Sequence, residues 1–153
     1  MNKLFKILFS FAILLLCGCK TNDTSLYSYK TEFIGDNAKV GNIINNLVYP
    51  HDAKNGSFEI VSEKEPYALI VNIETSTVLT DADLKEDAIL TFALIDNLSI
   101  LEYHEEDEDV IAVFTRADID YDLKANGYQD THEIGKSKKS FESFIESYNE
   151  SNS

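Results

Sequence analysis

Asp118-Ile119-Asp120-Tyr121-Asp122 sets three carboxylates at alternate positions, the spacing of the first three oxygen ligands in a calcium loop. The rest of such a loop is missing. Leu123 stands where the sharp turn wants glycine, and Gln129 where a bidentate Glu would close the site. Residues two apart on a helix diverge around its axis, so the stretch is expected to be an acidic helix start. Glu105 to Asp109 is a run of five acids with the charge to hold divalent cations loosely, and it is read as a solvated hairpin turn. His51, His104 and His132 are far apart, and none has the spacing of a zinc site. No serine stands in a nucleophile elbow, and the six glycines do not cluster into a phosphate loop. The expectation is therefore no catalytic residue, no cofactor and no metal ligand.

Gly35-Asp36-Asn37 is the one turn with a recognition reading. A helix begins just after it, and free amides at a helix N-terminus can meet an anion or a partner's carboxylate. The competing reading is structural: Gly35 frees φ, and Asp36 or Asn37 caps those same amides.

The elements that would position these groups follow from apolar spacing. Lys20 to Ser28 is polar and reads as a tether, giving a flexible segment 19–28 ahead of one domain at 29–150. Tyr29 to Phe33 suits a short strand. Val40, Ile43, Ile44 and Leu47 share one helical face. Tyr49-Pro50 and Asn55-Gly56 bound a loop, and Phe58, Ile60, Tyr67, Leu69, Val71 and Ile73 alternate as in a hairpin with one buried face. Thr80 and Asp83 open a helix with Leu84, Ala88, Thr91, Phe92 and Ile95 on one side. A second hairpin joins Leu98–Tyr103 to Val110–Thr115, a helix runs over 117–125 into the Asn126-Gly127 stop, and Phe141, Phe144, Ile145 and Tyr148 line a last helix. The predicted fold is α+β, a mostly antiparallel sheet of four to five strands with helices on one face.

Ahead of this lies a leader. Lys3 and Lys6 precede an apolar run from Ile7 to Leu16, about half the length that crosses a bilayer. It ends in Leu16-Cys17-Gly18-Cys19, which resembles the bacterial lipobox, so residues 1–18 are expected to be a signal peptide and Cys19 a lipidated thioether. Cys17 would leave with the leader, so the mature chain would hold no free thiol and no disulfide. Losing Lys3 and Lys6 would also take a formal charge of −14 two units lower. Such a field repels phosphate backbones and anionic headgroups, which argues against nucleic acid and against a surface-lying helix.

The run Phe33-Ile34-Gly35-Asp36-Asn37-Ala38-Lys39-Val40-Gly41-Asn42-Ile43-Ile44, then Lys64-Glu65-Pro66-Tyr67 and Leu90 to Asn97, resembles the bacterial family DUF4825, a domain of unknown function. The resemblance implies a lipoprotein or extracytoplasmic domain of a low-GC Gram-positive bacterium. Some members are attached to membrane metallopeptidase sensors, and no activity comes with the family. The expectation is a protein held on the outer face of the plasma membrane by lipid on Cys19. It would be a non-enzymatic binding or sensory module with a protein partner in the cell envelope, or alternatively a cell-envelope hydrolase or an inhibitor of one.

Overall fold

The computed structural model describes residues 25–105 and 109–151. The leader, Cys19 and the centre of the acidic turn lie outside the described residues.

A short 3-10 helix, Leu26–Tyr29, is followed by α1 (Asn37–Asn46), β1 (Lys54–Val61), β2 (Ala68–Glu74), α2 (Asp81–Leu94), β3 (Ile100–Glu105), β4 (Val110–Thr115), α3 (Arg116–Ala125), α4 (Thr131–Gly135) and α5 (Lys138–Ser151). The fold is α+β, as expected, and the four strands lie in chain order β1-β2-β3-β4. Both hairpins form. Between them β2 and β3 run parallel, with Leu69 beside Leu101 and Val71 beside Tyr103. Parallel neighbours need a crossover, and α2 supplies it.

Period-two burial decides which face of the sheet is covered. Leu69, Val71, Ile73, Leu101, Tyr103 and Ala112 point inward and are buried. Their neighbours Ile70, Asn72, Ile100, Glu102 and His104 form the half-buried outer face. Helix α2 begins at Thr80, whose N and Oγ1 both donate to Asp83 Oδ2 at 2.8 and 2.7 Å. It was expected to bury one side. Instead it is buried from Asp87 through Leu94, because α4 packs against α2 and α5 against α4. Each large aliphatic or aromatic side chain so enclosed contributes about 1.5–3 kcal/mol, and with no disulfide expected this core holds the fold.

Three local expectations are corrected. Tyr29–Phe33 is not a strand: Thr31 makes a single parallel bridge to Ile95, while Leu26, Tyr27 and Tyr29 pack against the core from the 3-10 helix. The expected end of the tether at Ser28 falls inside the folded part, since Leu26–Tyr29 is helical and Tyr27 lies 5.7 Å from Phe141 between centroids, tilted by 48°. Asn55-Gly56 lies within β1 at a register shift, where a Cβ on Gly56 would meet Glu74 Oε1 at 3.0 Å. The Asn126-Gly127 stop is as expected: Gly127 takes φ +82°, and the amide of Tyr128 returns to Leu123 O at 2.9 Å.

Candidate functional site

Asp36 caps α1 by accepting from the Lys39 amide at 3.1 Å. The Asn37 amide donates to Gly35 O at 3.0 Å, and the Ile34 amide just before the turn donates to Asn97 Oδ1 at 2.7 Å. Gly35 is not among the described residues with positive φ, so its freedom goes unused. Of the three turn residues, Asp36 thus supplies the cap and its own carboxylate occupies the amide that would greet an anion. Gly41, in the same helix, is packing: its Cβ would sit 3.4 Å from the Phe58 ring.

The three alternate aspartates part company. Asp118 accepts from Thr115 Oγ1 at 2.7 Å in the cap of α3. Asp120 accepts from the Thr131 amide at 2.8 Å and so ties α3 to α4, while Asp122 pairs with Lys85 on α2. Each carboxylate serves a different element. Among the described residues no group of three or more His, Cys, Asp or Glu could hold a metal ion. His51 stands 3.8 Å from Asp83, His104 Nε2 is 2.9 Å from Glu102 Oε2, and His132 is exposed on α4. His51 also holds a left-handed backbone, φ 57°. Beside it Asp52 collects Ser76 Oγ, the Ser76 amide at 3.0 Å and Thr77 Oγ1 at 2.9 Å, and these bonds hold its carboxyl well below the usual range.

Two residues that sequence reasoning passed over organise the interior. Arg116, the only arginine, donates from Nε to Leu98 O at 2.8 Å, from Nη2 to Ile95 O at 2.6 Å and from Nη1 to Thr131 Oγ1 at 2.6 Å. Its guanidinium carbon lies 5.2 Å from the Phe92 ring centroid. Burial lowers its pKa, while Asp120, Asp96 and Asp130 nearby oppose the fall. Its signal in sequence is a lone arginine at a strand-to-helix junction.

Asp87 is the second. It is 5% exposed, and burial together with neighbouring Glu86 pushes its carboxyl up to about 7. Tyr49 and Tyr103 feel its charge. Burial raises both phenols, with the charge of Asp87 adding to each. Tyr49 donates to Ile44 O at 3.2 Å, whereas the Tyr103 hydroxyl faces Thr91 without reaching hydrogen-bond geometry.

Among the described residues, three open grooves stand out on the surface. One of about 470 Å³ separates the α3–α4 connection from α5 and is lined by Tyr128, Gln129, Lys136, Lys139, Ser143 and Phe144 among others. Another, about 390 Å³, has Lys85, Asp122, Tyr128 and Tyr148 in its walls. The third, about 290 Å³, lies between the edge strand β4 and α3 and is lined by Val113, Phe114, Tyr121, Asp81 and Asp118, together with Asp122 and its partner Lys85. Val113 is 54% and Tyr121 76% exposed. Asp87 lines none of the three.

A family model described as a domain of unknown function, DUF4825, matches residues 26–126. The chain belongs to the DUF4825 family. No curated protein and no solved structure matches it. The DUF4825 segment takes in the whole sheet, α1 to α3, Asp87, Arg116 and the groove on β4. Helices α4 and α5, which close over α2 and form the lysine-lined groove, follow the matched residues. In chemical terms the arrangement offers an acid-rimmed apolar strip at a sheet edge, suited to contact with another surface, and a sealed carboxylate.

Proposed function

We propose that this DUF4825 protein is an extracytoplasmic lipoprotein, held on the outer face of the plasma membrane by lipid on Cys19, that serves as a non-enzymatic binding or sensory module for a protein partner in the cell envelope. One observation carries the binding part: Val113 on β4 and Tyr121 on α3 stand exposed in a groove at the sheet edge whose other walls include Asp81, Asp118 and the Lys85–Asp122 pair. An edge strand beside an apolar strip invites a partner's chain, and the acids favour a basic one. The anchor part is supported by the charged start, the short apolar run and the small residue before Cys19. A cell-envelope hydrolase, or an inhibitor of one, is the alternative and would call on Asp87. Asp87 is 5% exposed and lines none of the three grooves, which supports a structural role for it.

The test is a photo-cross-linking amino acid placed at Tyr121 in the full chain expressed in a bacterial envelope. The expected result is a discrete protein adduct that disappears on Val113→Glu. An adduct pattern matching that of the same probe at Val48, 90% exposed and away from the groove, would overturn the proposal.

A further inference from the structure

We propose that the face built by the 3-10 helix, α4 and the first turns of α5 lies on the membrane, with Lys136, Lys138 and Lys139 against anionic phospholipid headgroups. The inference rests on the reading of Cys19 as the anchored residue and adds an orientation to it.

The first observation is where the chain joins the fold. Ser25 Oγ donates to Glu142 Oε1 on α5 at 3.3 Å. Tyr27 donates from its hydroxyl to Gly135 O at 3.2 Å and lays its ring on Phe141. The first described residues are thus pinned to α4 and α5. Cys19 is six residues before Ser25, and six residues span about 20 Å at full extension. A domain of this length is roughly 35 Å across. The far pole, the outer face of the sheet, therefore cannot be turned onto the membrane while Cys19 stays in it.

Charge distribution is the second observation and is independent of the first. Lys136 to Lys139 holds three of the chain's 13 basic residues and no acid. Glu133 pairs with Lys136 and Glu142 with Lys138, while Lys139 has no ion pair among the described residues. The outer sheet face carries Glu59, Glu74 and Glu102, with Lys54 opposite Glu74 as its one lysine. Overall the chain repels anionic lipid, but charges beyond a Debye length of about 10 Å are screened, so those nearest the surface decide. The groove of about 470 Å³ lined by Lys139 and Ser143, and by Lys136 beside its partner Glu133, opens along α5, where the unpaired Lys139 ammonium and the Ser143 hydroxyl are donors for a headgroup phosphate.

The chain has no tryptophan, so a single introduced one reports its own position. Full-length Ser143→Trp and Val61→Trp proteins, purified from bacterial membranes, would be placed in phosphatidylcholine/phosphatidylglycerol vesicles carrying a nitroxide on the headgroup. Quenching is expected to be severalfold stronger for Ser143→Trp, and the difference should collapse when Lys136, Lys138 and Lys139 are changed to Glu. Equal quenching, or stronger quenching of Val61→Trp, overturns the orientation; a difference unmoved by the three Glu substitutions overturns the lysine contact. Intact mass of the same samples reports the lipid on Cys19 separately. If that lipid is absent, the anchor reading fails alone, and the Cys17→Ser chain coupled through Cys19 to a maleimide lipid restores the tether, so the same quenching comparison still decides the orientation.

Discussion

A Cβ added to Gly135 would lie 1.9 Å from the carbonyl oxygen of Ala93, so α4 rests directly on the backbone of α2. No side chain larger than hydrogen fits there, and the contact is what lets a five-residue helix seal the far side of α2. Gly135→Ala is expected to destabilise the fold by about 3 kcal/mol, the upper range for overpacking, because backbone and not a pliable side chain stands in the way. Gly127→Ala is the comparison: it strains a φ of +82° but meets open space, for about 1 kcal/mol. Urea midpoints rank the two, and a smaller loss at Gly135 than at Gly127 would contradict the packing.

Arg116 joins three segments distant in sequence through the carbonyls of Ile95 and Leu98 and the hydroxyl of Thr131. Lysine keeps the charge but lacks the planar fork, so Arg116→Lys should leave part-buried acceptors unpaired and cost about 3 kcal/mol. Denaturation of Arg116→Lys and Arg116→Met should show both well below the parent. Full stability in the lysine variant would mean that charge alone matters at this position.

Asp87 makes a pH-dependent prediction. Its folded pKa, about 7, lies above the ordinary 3.8, so below the lower value the group is neutral in both states and costs nothing. Between the two values the unfolded chain ionises first and stability falls; above the upper value the penalty is complete. Asp87→Asn should therefore match the parent below about pH 4 and exceed it by on the order of 4 kcal/mol above about pH 7. Urea titrations across that range check it. A gap that does not widen with pH would show that Asp87 is not the buried acid described here.

Much of the fold was legible because it depends on local pattern. Alternation in Leu69, Val71 and Ile73 located β2 and its buried face, and Thr80 with Asp83 located the start of α2. The parallel pairing of β2 with β3 was not legible, since strand periodicity is the same in either direction and only the path of the crossover decides. Nor was α4, whose five residues are too few for a helical period and whose key residue, Gly135, has no side chain to read. The turn at Gly35, Asp36 and Asn37 was found as a helix start, with Asp36 the cap. Arg116 and Asp87 escaped because their roles are set by partners in other segments, and burial of a single charge leaves no spacing signal.

Whether the domain is displayed from a lipid on Cys19 is decided by the intact mass of the chain recovered from bacterial membranes. The expected species begins at Cys19 and carries the added mass of a diacylglyceryl group, with or without a further acyl chain. A chain that retains residues 1–18, or that begins elsewhere without lipid, would contradict the anchor.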